Sequence, residues 1–200
     1  GKKVVIIGGG AIGTAVAYYV KSADPGIGVT VVERDPTYEL ASTPRASGGI
    51  RRLFSLPENI ELSKYSIDFF ETFPDTMSVD GVPAEVGFKK NGYLFIVPPS
   101  DRDVLKRNFD TQQRLGCNVH WLEPDELKQK FPSMNVADLG AAVHSPDDGW
   151  LDPHSVLMGF RNKAKSLGAQ FVADEVVGLL RTGNHVTAAV LKSSERIEAA

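Results

Sequence analysis

The sequence predicts an α/β fold, in which a parallel strand–helix–strand unit is joined to an inserted antiparallel α+β region. Residues 4–7 form a continuous apolar run, and a second β-branched run follows at residues 29–32, with a helical pattern between them. Such runs are typical of parallel strands buried on both faces. Further along, an Asn-Gly pair at residues 91–92 precedes an apolar run and favours an antiparallel hairpin.

Composition and charge favour a globular protein with a small-molecule partner. The 200 residues have a formal net charge of −3, which gives no general attraction to nucleic acid or to an anionic membrane. Cys117 is the only cysteine, so the chain cannot build a disulfide framework or a cysteine-based metal site by itself, and no metal is expected. No apolar run approaches the ~18 residues that a membrane span needs. A single cysteine fits a reducing compartment, so we expect the protein to be cytoplasmic, with mitochondria as the alternative.

A glycine-rich motif lies between the first predicted strand and the helix that follows. Gly8, Gly10 and Gly13 match the pattern G-x-G-x-x-G, with Ala11 and Ile12 between the last two glycines. The first glycine permits a tight turn, the second lets phosphate oxygens approach the backbone, and the third lets the helix pack close to the strand. The motif therefore predicts a Rossmann-like site, in which a pyrophosphate binds the N-terminus of the helix.

An acidic residue ends the second predicted strand at the distance that this motif requires. Glu33 follows Gly13 by 20 residues, where a ribose-binding carboxylate is expected. Its charge disfavours the 2′-phosphate of NADP, although the neighbouring Arg34 weakens that exclusion. The alternative interpretation is a solvated acid at the end of a strand.

The segment after the second strand favours FAD over NAD as the dinucleotide. A nicotinamide-binding domain would continue with alternating helices and strands, whereas residues 42–52 are rich in Ser, Thr and Gly and lead into the antiparallel region. Such a loop can supply hydroxyl groups and backbone donors to the rest of a long cofactor. An NAD-binding domain stays the alternative.

Local signals predict the remaining elements. Asp152 and Pro153 are typical of a helix start, and Gly168 is typical of a helix end. Helices are predicted at residues 58–73, 102–115, 126–130 and about 153–167, and strands at residues 93–97, 141–144, 176–180 and 186–191.

These residues together resemble the D-amino-acid-oxidase-like FAD-dependent oxidoreductases, the superfamily that includes glycine oxidase and sarcosine oxidase and dehydrogenase. The resemblance is carried by residues 4–13, 31–34, 41–43, 47–51, 92–94, 152–153, 168–169 and 175–179. Residues 47–50 and 54–60 also resemble a branch implicated in the assembly of respiratory complex I. The resemblance implies a discontinuous FAD-binding domain (residues 1–84 and 147–200) and part of a substrate domain (residues 85–146).

The resemblance implies a role for each candidate residue in cofactor binding. The glycine motif, Glu33 and Arg34 would bind the pyrophosphate and adenosine, and the backbone of Val176 would pair with adenine. Ser42 and Thr43 would contact the phosphate or ribityl part. The other loop residues expected at the cofactor are Arg45, Ser47, Gly48 and Gly49. Some relatives attach FAD covalently through a histidine where this chain has Arg45, so we expect non-covalent FAD.

The resemblance also implies the chemistry. Arg51 and Arg52 would lie near the flavin and either stabilise its reduced form or meet a substrate carboxylate. The alternative interpretation is that both are solvated loop residues. The implied reaction oxidises the C–N bond of an amine or amino acid by hydride transfer to the flavin. The electron acceptor and the oligomeric state are left open. Relatives continue beyond a strand like residues 196–200, so we expect an amino-terminal fragment. A flavin-binding assembly protein with little turnover is the alternative function.

Overall fold

The computed structural model describes residues 1–199, which form five α-helices and eleven β-strands. Within the described residues the elements are β1 (Lys3–Ile7), α1 (Ala11–Ala23), β2 (Gly28–Glu33), β3 (Gly49–Ile50), α2 (Pro57–Thr76), β4 (Tyr93–Val97), α3 (Arg102–Arg114), β5 (His120–Leu122), α4 (Pro124–Lys130), β6 (Ala141–Ser145), β7 (Gly149–Trp150), α5 (Pro153–Ser166), β8 (Gln170–Ala173), β9 (Val176–Thr182), β10 (His185–Leu191) and β11 (Arg196–Glu198). None of these helices is long and apolar enough to cross a membrane.

The chain divides into two compact units. The first contains residues 1–47 and 73–86 and the described residues from Asp152 onward, and the second contains residues 48–72 and 87–151. The sequence placed residues 48–72 with the first unit. The structure places them with the second because Leu53 and Ile60 pack into its core, beside residues of α3 and β6. The assignment of the units to a cofactor domain and a substrate domain stays a prediction.

The first unit is built on a parallel three-stranded sheet with the order β1-β2-β8. Its buried core includes Val29 and Val31 from β2 and Ala17 from α1, together with Ala164 and Ala169. The strand–helix–strand unit predicted from the sequence is therefore present. The sequence did not predict β8, because its four residues are a short run in which only Phe171 and Val172 favour a strand, and they form one by pairing with β2.

The last three strands of the first unit form an antiparallel sheet with the order β11-β10-β9. Gly183 has φ +60° between β9 and β10, a left-handed conformation that glycine adopts at low cost. The helix start predicted before α5 is also present, because the Asp152 carboxylate accepts a hydrogen bond from the His154 N–H at 3.1 Å.

The second unit contains an antiparallel sheet with the order β4-β6-β5, so the prediction of an antiparallel α+β region is correct. The hairpin predicted within residues 86–97, with β4 as its second strand, was wrong. Gly92 does adopt a left-handed turn, with φ +80°, but its N–H donates to the Asp148 carbonyl oxygen, and Lys89 bridges Trp150. The turn therefore directs β4 to pair with the buried strand β6, far along the chain.

Helix α2 continues beyond the end that the sequence predicted for it. Pro74 lies inside the helix, which ends at Thr76. Proline removes one backbone hydrogen bond, but three residues further along, the Met77 N–H donates to the Phe73 carbonyl oxygen at 2.9 Å. Because Phe73 and Met77 are both fully buried one turn apart, their packing stabilises the helical conformation through the proline.

Candidate functional site

The turn after β1 has the geometry that the glycine motif predicted. Gly8 has φ +96°, and a Cβ atom there would meet nothing within 4 Å, so the backbone conformation and not crowding requires glycine. The Gly8 N–H donates to the Val32 carbonyl oxygen at 2.8 Å, which ties the turn to β2. The glycine turn thus lies at the carboxyl edge of the parallel sheet, where ligands bind in open α/β sheets.

Gly13 brings α1 close to the turn. A Cβ atom at this position would lie 1.9 Å from the Gly8 carbonyl oxygen and 3.3 Å from the Ile6 Cγ2 atom. No side chain fits here without moving the backbone. The third glycine therefore has the role that the motif assigned to it, the close packing of helix and strand.

The N-terminus of α1 is accessible. Its N-cap residue, Gly10, provides no side-chain cap, its first turn contains no acidic residue, and Ile12 is 83% exposed. One side chain does reach this end, because the Thr43 hydroxyl accepts a hydrogen bond from the Ala11 N–H at 3.3 Å. The first turn of the helix thus contains no acidic residue of its own, and this end of the helix carries the positive end of the dipole, which binds anions.

Glu33 holds the glycine turn through its carboxylate. Oε2 accepts a hydrogen bond from the Gly9 N–H at 2.6 Å, and Oε1 accepts one from the Asp35 N–H at 2.8 Å. Each carboxylate oxygen has a second lone pair, so the group can still accept from a ligand hydroxyl. The contact with Gly9 was not predicted, because residue 9 is a variable position in the motif, between Gly8 and Gly10.

A cleft of about 380 Å³ opens beside this turn in the first unit. The predicted residues that line it are Gly8, Glu33, Arg34, Ser42 and Val176. The cleft thus brings together residues that are far apart in the sequence. They come from the end of β1, from β2 and the loop that follows it, and from the start of β9. Other lining residues that the sequence analysis did not identify are Ile7, Val32, Asp35, Leu40, Ala41, Asp174 and Glu175.

Asp35 shapes the loop that forms one wall of the cleft. Its carboxylate accepts hydrogen bonds from the Thr37 hydroxyl at 2.5 Å and from the Leu40 N–H at 3.1 Å. These bonds stabilise the charged form, the Thr37 hydroxyl most strongly, and lower the pKa of Asp35. An acid two residues before a threonine is a local turn signal that could have identified this residue.

Asp174 and Glu175 reach the cleft from the turn between β8 and β9. A hydrogen bond with Ser193 is the main reason why the pKa of Asp174 is lowered. The Asp174 N–H donates to the Glu33 carbonyl oxygen at 3.1 Å, so this turn is attached to the end of β2. No local pattern could have placed these acids here, because their position depends on the pairing of β8 with β2.

The side chain of Tyr38 lies next to the glycine turn, at Gly9. It is buried, its backbone has φ +61°, and a Cβ atom at Gly9 would lie 3.3 Å from its hydroxyl oxygen. Burial raises the pKa of the Tyr38 hydroxyl above its ordinary value. A non-glycine residue with positive φ is uncommon and is stable only where the surrounding packing determines it.

Five predicted loop residues are not among those that line the cleft: Thr43, Arg45, Ser47, Gly48 and Gly49. The Arg45 side chain is exposed, and its Nε donates to the Glu39 carbonyl oxygen at 3.2 Å. Ser47 is the last residue of the first part of this unit. Thr43 contacts the helix instead, as described above. The roles of these residues in cofactor binding stay predictions.

Gly48 and Gly49 belong to the second unit, where they allow a close approach of two backbones. Gly48 has φ +79°, and a Cβ atom on it would lie 2.1 Å from the Leu151 carbonyl oxygen. A Cβ atom on Gly49 would lie 3.0 Å from the Tyr93 ring. The two glycines therefore let β3 pair with β7, at Gly49 and Trp150.

Arg51 is surrounded by aromatic rings of the second unit. Its guanidinium carbon lies 5.1 Å from the ring centre of Phe54 and 5.3 Å from those of Tyr93 and Phe95. These cation–π contacts stabilise the charge. Its Nε is buried and has no hydrogen-bond partner among the described residues. The side chain is thus held in place by packing.

Arg52 lies beside two acids, of which Asp148 is buried and Asp147 is partly exposed. Its backbone N–H donates to Asp148 Oδ2 at 2.9 Å, and its guanidinium lies 3.9 Å from Asp148 and 3.7 Å from Asp147. Asp148 is fully buried, and that burial raises the pKa of its carboxyl. The Arg52 guanidinium therefore lies next to the carboxyl groups of both acids. The sequence did not predict this arrangement.

The first unit fits the adenosine and pyrophosphate part of a dinucleotide. Gly8 and Glu33 line one cleft, and the glycine turn that begins at Gly8 leads directly to the accessible N-terminus of α1. Among residues 1–199, no group of three or more His, Cys, Asp or Glu side chains is arranged to hold a metal ion.

Comparisons with known proteins agree with this geometry. The chain matches the family described as "DAO: FAD dependent oxidoreductase" over residues 3–200. It is 37% identical over 191 residues to FAD-dependent oxidoreductase domain-containing protein 1 from Bos taurus, covering 93% of this chain and 39% of that protein. It is 28% identical over 179 residues to mitochondrial sarcosine dehydrogenase from Mus musculus, covering 89% of this chain and 19% of that protein.

Solved structures share the fold. The structure of L-proline dehydrogenase from P. horikoshii matches with a TM-score of 0.84 and 28% identity, covering 98% of this chain and 50% of that one. The chain therefore spans half or less of the length of these relatives.

Proposed function

The chain belongs to the family of FAD-dependent oxidoreductases, and on that premise we propose that its first unit binds the adenosine and pyrophosphate part of FAD in the cleft beside Glu33. Membership of this family confirms that the cofactor is FAD and not the alternative, NAD. The observation that carries the proposal is the arrangement of Glu33, which holds the glycine turn and lines the cleft at the same time.

Each part of the cleft has a role in this proposal. Glu33 accepts hydrogen bonds from the ribose hydroxyls, and the N–H groups at the start of α1 bind the pyrophosphate. The backbone of Val176 pairs with adenine, and Ser42 contributes its hydroxyl to the cofactor. When bound, FAD supplies a flavin ring that accepts two electrons and a proton as hydride, while the protein supplies orientation and electrostatics.

We further propose that the whole protein oxidises the C–N bond of an amine or amino acid. Two of the relatives described above are named as dehydrogenases of sarcosine and of L-proline, and both compounds are secondary amino acids. Because the chain spans only part of these relatives, the reaction is proposed for the protein that carries it and not for this segment alone.

Between the two candidate arginines, charge favours Arg51 as the residue that meets an anion. The guanidinium of Arg52 is already opposite Asp147 and Asp148. That of Arg51 is stacked against neutral aromatic rings. We therefore propose that Arg51 stabilises either the reduced flavin or a substrate carboxylate, and that Arg52 supports the loop.

Anaerobic reduction tests the substrate class. The purified full-length flavoprotein is mixed without oxygen with glycine, sarcosine, L-proline and other primary and secondary amino acids, and the visible band of oxidised flavin is followed. We expect at least one of them to bleach this band. Dithionite serves as the control that the flavin is reducible. If dithionite bleaches the flavin and every amine fails, the substrate class is wrong, and the alternative of a flavin-binding assembly protein gains support.

We propose that the cofactor is bound without a covalent bond to residue 45, where this chain has an exposed arginine. Acid precipitation of the protein distinguishes the two states. We expect the yellow flavin to stay in the supernatant and to have the mass of intact FAD. Flavin that remains with the precipitated protein, on a peptide that contains Arg45 or a neighbour, would contradict this.

For the compartment we keep the cytoplasm as the prediction, with mitochondria as the alternative. The mouse relative is named as a mitochondrial protein, which supports the alternative. Imaging of the tagged full-length protein in cells, with a mitochondrial marker, distinguishes the two.

A further inference from the structure

Asp148 is a fully buried acid of the second unit that is bonded to the segment carrying Arg51. Its Oδ2 accepts a hydrogen bond from the Arg52 N–H at 2.9 Å. The Arg52 carbonyl oxygen in turn accepts one from the Phe54 N–H at 2.8 Å, so the chain turns tightly at the residue that Asp148 holds. This turn places the Phe54 ring 5.1 Å from the Arg51 guanidinium carbon. Asp148 thus fixes the backbone directly after Arg51.

The backbone of Asp148 holds a second segment that surrounds Arg51. Its carbonyl oxygen accepts a hydrogen bond from the Gly92 N–H at 2.9 Å. Gly92 directly precedes Tyr93, the first residue of β4. The rings of Tyr93 and of Phe95, which also belongs to β4, each lie 5.3 Å from the Arg51 guanidinium carbon. One acid is therefore bonded to both segments whose rings pack against this arginine.

The carboxyl group of Asp148 is suited to holding a peptide group in place. A buried carboxyl group costs free energy unless hydrogen bonds and an opposite charge offset the loss of water. Here the Arg52 N–H is the hydrogen-bond donor, and the Arg52 guanidinium Nε lies 3.9 Å from Asp148 Oδ1. An apolar side chain of similar size could fill the same space at lower cost, but it could not accept the Arg52 N–H.

Arg51 depends on these surroundings for its orientation. Its Nε is buried and has no hydrogen-bond partner among the described residues, so this nitrogen does not hold the side chain. Its guanidinium packs against three aromatic rings instead. A shift of the backbone after Arg51, or of β4, would therefore move the charge.

We propose, on the basis of the function proposed above for Arg51, that Asp148 is a positioning residue. It holds Arg51 in the orientation in which the guanidinium meets its anion, and it does not contact that anion itself. Asp148 acts on the reaction only through Arg51, so the effect of removing it depends on the presence of the arginine.

Two measurements that need no turnover report the position of the Arg51 charge. The midpoint potential of the flavin in the purified full-length protein reports the stability of the reduced form, and the dissociation constant of acetate, followed by the visible flavin spectrum, reports carboxylate binding. Arg51→Ala identifies the anion. We expect it to weaken one of the two interactions about 10-fold or more, which for the two-electron potential is a fall of about 30 mV or more.

Asp148→Ala removes the acceptor of the Arg52 N–H and should weaken the same interaction about 3- to 10-fold. In the Arg51→Ala background it should add less than about 2-fold, because no charge is left to position. Leu127→Ala is the control for a general loss of stability. Leu127 is fully buried on α4 of the same unit, and its truncation should destabilise the protein but leave both quantities unchanged.

Asp148→Asn keeps an acceptor oxygen without the charge, so we expect an effect between those of the unmutated protein and Asp148→Ala. If thermal melting shows that Asp148→Ala does not fold, Asp148→Asn decides, and the absence of an effect overturns the positioning role. An effect that is equally large without Arg51, or that Leu127→Ala reproduces, overturns it too. If Arg51→Ala changes neither quantity, the function proposed for Arg51 is wrong as well, whereas an Arg51→Ala effect that neither Asp148 variant shares overturns the positioning role alone.

Discussion

At the scale of single residues, Glu33 has two tasks in this account. It organises the turn through hydrogen bonds from the N–H groups of Gly9 and Asp35, and it offers its remaining lone pairs to a ribose. The first task was not predicted from the sequence, whereas the second follows from the spacing after Gly13. A substitution at this position therefore affects the shape of the turn as well as the binding of adenosine.

The substitution Glu33→Gln tests the second task. A neutral amide has one acceptor oxygen and forms weaker hydrogen bonds than a carboxylate, so we expect the dissociation constant of FAD to rise about 10-fold or more. Titration of the apoprotein with FAD, followed by flavin fluorescence, measures it. Glu195→Gln, which changes an exposed acid that does not line the cleft, should leave it unchanged.

An FAD analogue with 2′-deoxyadenosine separates ribose binding from damage to the turn. In the unmutated protein the analogue should bind more weakly than FAD, and in Glu33→Gln this difference in affinity should be smaller, because an amide forms weaker hydrogen bonds than a carboxylate. If the loss of the hydroxyl has the same effect in both proteins, Glu33 does not contact it.

Gly13 gives a second test at this scale. Because a Cβ atom there would lie 1.9 Å from the backbone oxygen of Gly8, Gly13→Ala must displace the turn. We expect a loss of about 1–3 kcal/mol in the free energy of unfolding, together with weaker FAD binding. Urea unfolding and FAD titration measure the two effects.

Gly28→Ala is the matched control for Gly13. A Cβ atom at Gly28 would be 3.7 Å from the nearest backbone oxygen, which is an ordinary contact distance. We expect a change within about 0.5 kcal/mol. Equal effects of the two substitutions would show that crowding at Gly13 is not important.

At the scale of elements, the residue that caps α4 also forms an ion pair. Glu123 precedes this helix and accepts hydrogen bonds from the Arg102 guanidinium at 2.5 and 2.7 Å and from the Trp121 N–H at 2.9 Å. The Arg102 contact, followed by that of Trp121, lowers the pKa of Glu123 from its ordinary value of 4.5 to about 2. The charged form is therefore stabilised in the folded protein.

This shift predicts how stability changes with pH. A carboxyl with a lowered pKa contributes its full stabilisation above its unfolded value of 4.5 and loses it as the pH falls toward about 2. Both side chains are nearly half exposed, so solvent screening limits the contribution to about 1 kcal/mol. Urea unfolding of the unmutated protein and Glu123→Gln should differ at pH 7 and converge in acid. A difference that is constant with pH would contradict the assignment.

The elements also show what sequence patterns can predict. Helices α3 and α5 were predicted closely, because their apolar spacing and their ends, such as Asp152 and Gly168, are local signals. Strand β8 and the partner of β4 were not, because each depends on a strand far along the chain. The turn predicted at Asn91-Gly92 is present, but the strand after it, β4, pairs with β6 and not with the residues just before the turn.

At the scale of the whole molecule, the two units contain different parts of the predicted site. The glycine motif, Glu33, Ser42 and Val176 belong to the first unit, and Arg51 and Arg52 belong to the second. The sequence predicted five of the residues that line the cleft. It missed Asp174 and Glu175, because only the pairing of β8 with β2 places them there.

The central claim, that the cleft beside Glu33 binds the adenosine part of FAD, is tested most directly by a crystal structure of the full-length protein with its cofactor. We predict that a ribose hydroxyl lies within about 3 Å of a Glu33 carboxylate oxygen, a normal hydrogen-bond distance, and that the pyrophosphate contacts the N-terminus of α1. An adenosine bound elsewhere, with the Glu33 carboxylate in contact only with the backbone N–H groups of Gly9 and Asp35, would contradict the account.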